Sequence, residues 1–149
     1  MRIALYQPDQ AGNVGTILRL AACLGVGVDI IEPCGFAYSD RALKRAGMDY
    51  AEIAEVKRHP SWAAFEQDVR GRIILLTTSA TMLLPDARFD ADDILLLGSE
   101  SSGAPPQVHS RADERIRIPQ VAAARSLNIA IAAGIALGEA LRQTKGWPE

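Results

Sequence analysis

Apolar positions in this chain fall into short unbroken runs separated by longer stretches with a helical repeat. The runs Ile73–Leu76 and Ile94–Leu97 have the pattern of strands buried on both faces. Strand-like segments extend over Arg2–Tyr6, Val28–Ile31, Ile53–Val56, Arg72–Thr77, Ile94–Leu97 and Arg115–Ile118. Helical spacing predicts helices over Val14–Leu24, Asp40–Ala46, Ser61–Val69 and Leu127–Gln143, with a short one after Pro105. Ser39 or Asp40, Ser61 and Ser126 are the expected N-caps, and Gly25 the expected stop of the first helix. Strands alternating with helices predict an α/β fold with a largely parallel sheet. Such sheets bind ligands beyond the carboxyl ends of their strands. The loops after Tyr6, Leu76, Leu97 and Ile118 are therefore the places to look for chemistry.

The 149 residues contain no repeat or linker-like run, so a single domain over 1–149 is expected. The start M-R-I-A-L-Y-Q-P reads as a strand with no apolar signal region after it. Arg125, Asn128 and Glu139 interrupt the longest apolar stretches, which argues against a membrane span. Cys23 and Cys34 lack metal-ligand spacing and read as reduced thiols of a cytoplasmic protein. His59 and His109 are the only histidines, leaving little for histidine-based metal or triad chemistry. A net charge of −2 says nothing for nucleic acid, but its distribution does. Arg41, Lys44 and Arg45 would share one helical face, and Lys57, Arg58 and His59 form a second cluster. Either cluster reads as a solvated surface or as a phosphate-binding patch.

Three loops carry candidate chemistry. From Gln7 to Arg19, Gly12 and Gly15 allow close backbone approach, Asn13 is placed to cap the helix, and Arg19 follows on that helix. A helix start plus a guanidinium suits an anion such as a phosphate, although a plain turn with a surface arginine fits as well. No G-x-G-x-x-G is present, but Glu32 stands where a ribose-binding acid of a Rossmann-type enzyme would sit. G-S-E-S-S-G-A-P (Gly98–Pro105) forms a flexible, hydrogen-bonding rim after a buried strand and is not a G-x-S-x-G elbow. In Ile116–Leu141, a strand stops at Pro119. A helix that is apolar almost all round then opens with Arg125, Ser126 and Asn128. Buried polar groups need partners, so this mouth is a candidate binding site. Converging rims would offer a slot for a flat heterocycle. With no metal site, P-loop or carboxylate dyad in view, the pattern favours an activated cofactor held in line with a second reactant.

N-x-G-x-x-x-R (Asn13, Gly15, Arg19), G-S-E-x-x-G (Gly98–Gly103) and I-R-I-P…R-S-L-N (Ile116–Pro119, Arg125–Asn128) together resemble the three motifs of the SPOUT RNA methyltransferases. The stretches I-I-E-P-C-G-F-A-Y-S-D and L-K-R-A-G-M-D-Y look like the small subgroup that 2′-O-methylates the wobble nucleotide of tRNA, cytidine or uridine 34. The resemblance implies a parallel-sheet SPOUT domain with a C-terminal deep trefoil knot. It implies S-adenosylmethionine held, without metal, by Leu76, Gly98, Ile118 and Ser126, with Leu127 alongside. It implies catalysis by Arg19 and Asn13 in a homodimer, with Arg19 of one subunit facing the cofactor of the other. Arg41, Lys44, Arg45 and Arg125 would hold the anticodon stem-loop of the tRNA. Arginine is a poor base, so Arg19 is expected to orient a phosphate and stabilise a developing alkoxide. Ala130, Gly134 and Gly138 recur every four residues, a groove for a second subunit or for the chain's own sheet. Gly138, Leu141, Ser99 and the alanine-rich Val121–Ala124 depart from the subgroup's pattern. The alternatives are another tRNA or rRNA position, a Rossmann-type nucleotide enzyme, and a non-catalytic RNA-binding module.

Overall fold

The computed structural model describes residues 1–39, 41, 50 and 53–149. Its strands are β1 (Arg2–Tyr6), β2 (Gly27–Ile31), β3 (Val56–His59), β4 (Ile73–Leu76), β5 (Met82–Leu83), β6 (Ile94–Leu97) and β7 (Glu114–Arg117). Its helices are α1 (Ala11–Leu24), α2 (Trp62–Asp68), α3 (Pro106–Arg111) and α4 (Ile129–Thr144), with a 3₁₀ turn at Leu84–Asp86. The strands form one seven-stranded sheet in the order β3-β2-β1-β6-β4-β7-β5, and every pairing is parallel.

The continuous apolar runs follow from this layering. Ile3, Leu5, Ile74, Leu95 and Leu97 face the layer of α1 and α4. Their neighbours Ala4, Ile73, Leu75, Ile94 and Leu96 face Phe65 of α2 and Val108 of α3. With both faces covered, no position of β6 is left for a polar residue. Truncating a fully buried member such as Leu95 costs about 2–5 kcal/mol.

Local signals work at several ends. Gly25 sits at φ 66 and returns its N–H to Ala21 O, a left-handed stop for α1. Ser61 Oγ accepts from Ala64 N at 3.1 Å and caps α2, as expected. At α4 the cap is Asn128 rather than Ser126, with Asn128 Oδ1 accepting from Ala130 N and Ile131 N. α1 begins at Ala11, so Asn13 lies inside the first turn and does not cap it.

Other expectations shift. The strand expected at Ile53–Val56 forms at Val56–His59, because Ile53 and Ala54 close a turn by donating to Tyr50 O. Ile53 is left 70% exposed. β5 and its 3₁₀ turn had no counterpart in the apolar pattern, since a two-residue strand has no period to read. The helix expected at Asp40–Ala46 lies outside the described residues apart from Arg41, which is helical. α4 is not buried all round: Ala133, Ala136, Leu137 and Ala140 are sealed, but Ile131 is 55% and Ile135 43% exposed. A Cβ at Gly134 would meet Leu20 of α1, and one at Gly138 the indole of Trp147. The small-residue groove is thus filled partly from the chain itself. Gln143 then pins α4 to Ala87 O and Phe89 N. Among the described residues no helix is long and apolar enough to cross a membrane.

Candidate active site

A cleft of about 570 Å³ opens beyond the carboxyl ends of β4, β6 and β7. Its walls are Leu76–Thr78, the loop from Leu97 to Ala104, the segment from Arg117 to Gln120, and Ser126–Ile129 with Ala132. Gln10 and Asn13 close it from the α1 side. The volume is that of a small-molecule site, roughly 300–1,000 Å³.

The loop after β6 is tighter than its glycines and serines imply. Ser99 and Gly103 exchange both backbone hydrogen bonds, at 3.1 and 2.9 Å. Gly103 turns at φ +67, and a Cβ on Gly98 would lie 2.4 Å from the Gly103 carbonyl carbon. Ser99 Oγ meets Ser102 Oγ at 2.7 Å. The expected flexible rim is therefore a closed, cross-bonded turn. Only glycine fits at its foot.

A polar chain ties this turn to both helices that face the cleft. Glu100 Oε2 accepts from Asp9 N at 2.7 Å, and Glu100 Oε1 accepts from Asn13 Nδ2 at 3.1 Å. Asn13 Oδ1 in turn accepts from Asn128 Nδ2 at 2.9 Å. The amide orientations are mutually determined. Asn128 must present Oδ1 to the helix N–H groups, so its Nδ2 donates, Asn13 accepts, and Asn13 Nδ2 is left to serve the carboxylate. Asp9 completes the frame by accepting from Ser101 Oγ at 2.5 Å and Ser101 N at 2.8 Å. Those two bonds hold the Asp9 carboxyl below its usual range. On the wall from Arg117 to Gln120, Gln120 Oε1 is buried without a partner, a feature found at no other side chain among the described residues. An orphaned acceptor lining a cleft asks for a donor from whatever fills it.

Asn13, Leu76, Gly98, Ile118, Ser126 and Leu127 all come together on this cleft. Arg19 does not. It is exposed on α1, with its guanidinium 5.1 Å from the Tyr50 ring centre. Arg125 is exposed and does not line the cleft, so the mouth consists of Ser126 and Asn128 without it. Arg41 is exposed, while Lys44 and Arg45 lie outside the described residues. The second basic cluster is neutralised: Lys57 pairs with Asp68, Arg58 with Glu32, and His59 with Asp29. Glu32 is thereby engaged with Arg58, which weakens a role in ribose binding. Glu100 stood in its motif without an assigned role and Asn128 only as part of the polar mouth, yet they form the hub and end of the polar chain. Gln120 had no signal beyond following Pro119.

The chain is similar over nearly its whole length to known proteins. A tRNA (cytidine(34)-2'-O)-methyltransferase of Beijerinckia indica is 52% identical, over 95% of this chain and 90% of that protein. Its namesake in Escherichia coli K12 is 39% identical, over 99% of this chain and 96% of that protein. A solved structure giving insights into the 2-OH methylation of C/U34 on tRNA superposes with a TM-score of 0.92 at 39% identity, over 97% of this chain and 96% of that one. An AdoMet-bound rRNA methyltransferase from Sinorhizobium meliloti gives 0.84 at 28% identity, over 95% of this chain and 55% of the longer one. With a family match running from β1 into α4, over residues 1–138, the chain belongs to the SpoU rRNA Methylase family.

Proposed function

We propose that this protein is an S-adenosylmethionine-dependent methyltransferase that modifies the ribose 2′-hydroxyl of the wobble nucleotide, cytidine or uridine 34, of tRNA. The observation that carries the reading is the cleft with its Glu100–Asn13–Asn128 frame, in a chain so close over its whole length to proteins of that name. Its lining fits the cofactor. Leu76, Leu97, Ile118, Leu127 and Ala132 make apolar walls for a flat heterocycle, Gly98 keeps the strand end bare, and Gln120 Oε1 awaits a donor. Leu76, Gly98, Ile118, Ser126 and Leu127 are the residues assigned to hold it. When bound, the cofactor supplies a methyl group already activated on sulfur, so neither metal nor redox chemistry is required.

The protein's task is then positional. Asn13 fixes the α1 edge of the cleft relative to the Glu100 turn. Arg19, remote from the cleft of its own chain, acts in this reading across a homodimer, where it orients the substrate phosphate and stabilises the developing alkoxide. The apolar face that α4 leaves exposed, Ile131 and Ile135, supports such a pairing. Arg41, Lys44, Arg45 and Arg125 would hold the anticodon stem-loop through its phosphates. We also read residues 1–149 as one cytoplasmic SPOUT domain, its C-terminal segment drawn into a deep trefoil knot.

The test is mass spectrometry of bulk tRNA after incubation with the protein and isotope-labelled S-adenosylmethionine. A labelled ribose methyl at nucleotide 34 is the expected product. Label at another tRNA position, or none in tRNA, would refute the assignment of the wobble nucleotide.

A further inference from the structure

The segment Ile31–Ser39, I-E-P-C-G-F-A-Y-S, follows β2 and has no part in the cleft. It forms one wall of a separate groove of about 380 Å³, lined by Glu32, Pro33, Cys34, Phe36, Tyr38 and Arg58 together with Pro60. The chain has only three Phe and three Tyr, and two of these six rings stand here side by side. Phe36 and Tyr38 lie stacked at 6.4 Å between centres with 27° between planes. The Arg58 guanidinium lies 4.1 Å over the Tyr38 ring. Glu32 holds that guanidinium through its Nε at 3.0 Å and its Nη2. Phe36 and Tyr38 are partly buried and pack against the core, while the Arg58 side chain is 47% exposed, so the guanidinium is the open end of the stack.

Its position links the groove to the cleft. Gly35 N donates to Pro8 O at 2.9 Å, and a Cβ on Gly35 would lie 3.0 Å from Asp9 Cα. Asp9 in turn grips Ser101 and, through its N–H, Glu100. The groove and the cleft thus flank the same short loop. Rings and a guanidinium plane arranged this way are what proteins offer to unstacked bases of single-stranded nucleic acid.

We infer that the Phe36–Tyr38–Arg58 groove is a stacking site for an unpaired base of the RNA substrate, a nucleotide neighbouring the one whose ribose enters the cleft. This rests on the reading of the protein as a tRNA methyltransferase. The site selects an unpaired loop by the π-face of a base, and it adds affinity that owes little to phosphate charge, because Arg58 is already neutralised by Glu32.

The test compares the full-length wild type with Phe36→Leu/Tyr38→Leu and with Arg58→Lys, which keeps the charge but loses the planar stack. Fluorescence anisotropy with a labelled anticodon stem-loop RNA gives the affinity across a salt series, and calorimetry with S-adenosylhomocysteine reports on the cleft. The double variant should bind RNA on the order of 10- to 100-fold more weakly, with an unchanged slope of log affinity against log salt. Its S-adenosylhomocysteine affinity should stay at the wild-type value. RNA affinity equal to wild type, or a loss that appears only as a flatter salt slope, overturns the stacking site. If the double variant loses S-adenosylhomocysteine binding through misfolding, Arg58→Lys decides: several-fold weaker RNA binding upholds the site, and normal binding overturns it. A wild type that transfers no methyl to tRNA overturns the enzyme reading and the groove together, whereas an active wild type with unimpaired variants overturns the groove alone.

Discussion

Two polar clusters lie in this sheet, and they are built in opposite ways. Near the amino ends of β1 and β6, Arg2 donates to Asp29 Oδ2 and to Glu55 Oε1, both at 2.6 Å. His59 Nε2 lies 2.8 Å from the other Asp29 oxygen, and Arg72 grips Asp93 through two bonds. Burial works against the Arg2 charge, but its bonds to Asp29 and Glu55 outweigh it and hold the guanidinium pKa above its ordinary value. Charge meets charge, and the cluster closes on itself. At the carboxyl end, two carboxylates and two amides, Asp9, Glu100, Asn13 and Asn128, pass hydrogen bonds along a line with no cation among them, and Gln120 Oε1 is left over. The first arrangement satisfies the fold. The second positions groups and leaves something for a ligand to satisfy, and that difference separates a structural cluster from a site more clearly than polarity does.

The comparison breaks or holds on two substitutions. Asp29→Ala leaves both Arg2 and the buried His59 without their shared partner. Arg2 is 25% exposed and keeps Glu55, so the loss is that of an unsatisfied buried group, about 1–3 kcal/mol, which lowers the melting temperature of a domain this size by roughly 5 °C. Methyl transfer measured well below that temperature should be close to wild type. Loss of turnover in a fully folded Asp29→Ala protein would show that the two clusters are coupled. Glu100→Ala should do the reverse. It frees Asp9 N and Asn13 Nδ2 together, letting two cleft walls drift, and small misplacements of that kind cost about 100-fold in rate. Because the freed groups reach water, the melting temperature should move by only a few degrees. A Glu100→Ala enzyme with normal turnover would reduce the polar chain to packing.

How much of this was legible depended on sequence distance. β1 and β6 appear at their expected bounds because strands buried on both faces write Ile3–Tyr6 and Ile94–Leu97 as unbroken apolar runs. The cleft loops were legible too, since small residues directly after buried strands mark where a sheet can bind. The hub was not. Glu100 works through Asp9 and Asn13, 91 and 87 positions away, and nothing in local spacing announces such a pairing. β3 slipped for a related reason: Ile53 has the better strand propensity, but pairing with β2 and the buried His59–Asp29 contact select Val56–His59 instead. Arg19 was recognisable from its motif, yet the folded chain does not bring it to its own cleft.

Within the cleft frame, the Asp9 carboxyl gives the smallest and most local test. Its carboxyl is lowered from 3.8 first by the Ser101 hydroxyl and then by the Ser101 backbone N–H. A carboxyl lowered in the folded state stabilises it fully above the unfolded value near 3.8 and loses that contribution as pH falls through the lower folded value. The Asp9–Ser101 tie should therefore hold unchanged from neutral pH down to about 4 and open only below that. Carbon-13 NMR of the Asp9 carboxyl should give a midpoint below 3.8. In Ser101→Ala the midpoint should rise toward 3.8 without reaching it, because the backbone N–H remains. A midpoint that ignores Ser101→Ala would mean that the hydroxyl does not hold the carboxylate, and the turn would lose its main tie to the Asp9 loop. If the midpoint responds as expected while activity at neutral pH barely changes, the tie is a support for the frame, and the Glu100–Asn13–Asn128 line is what sets the geometry of the cleft.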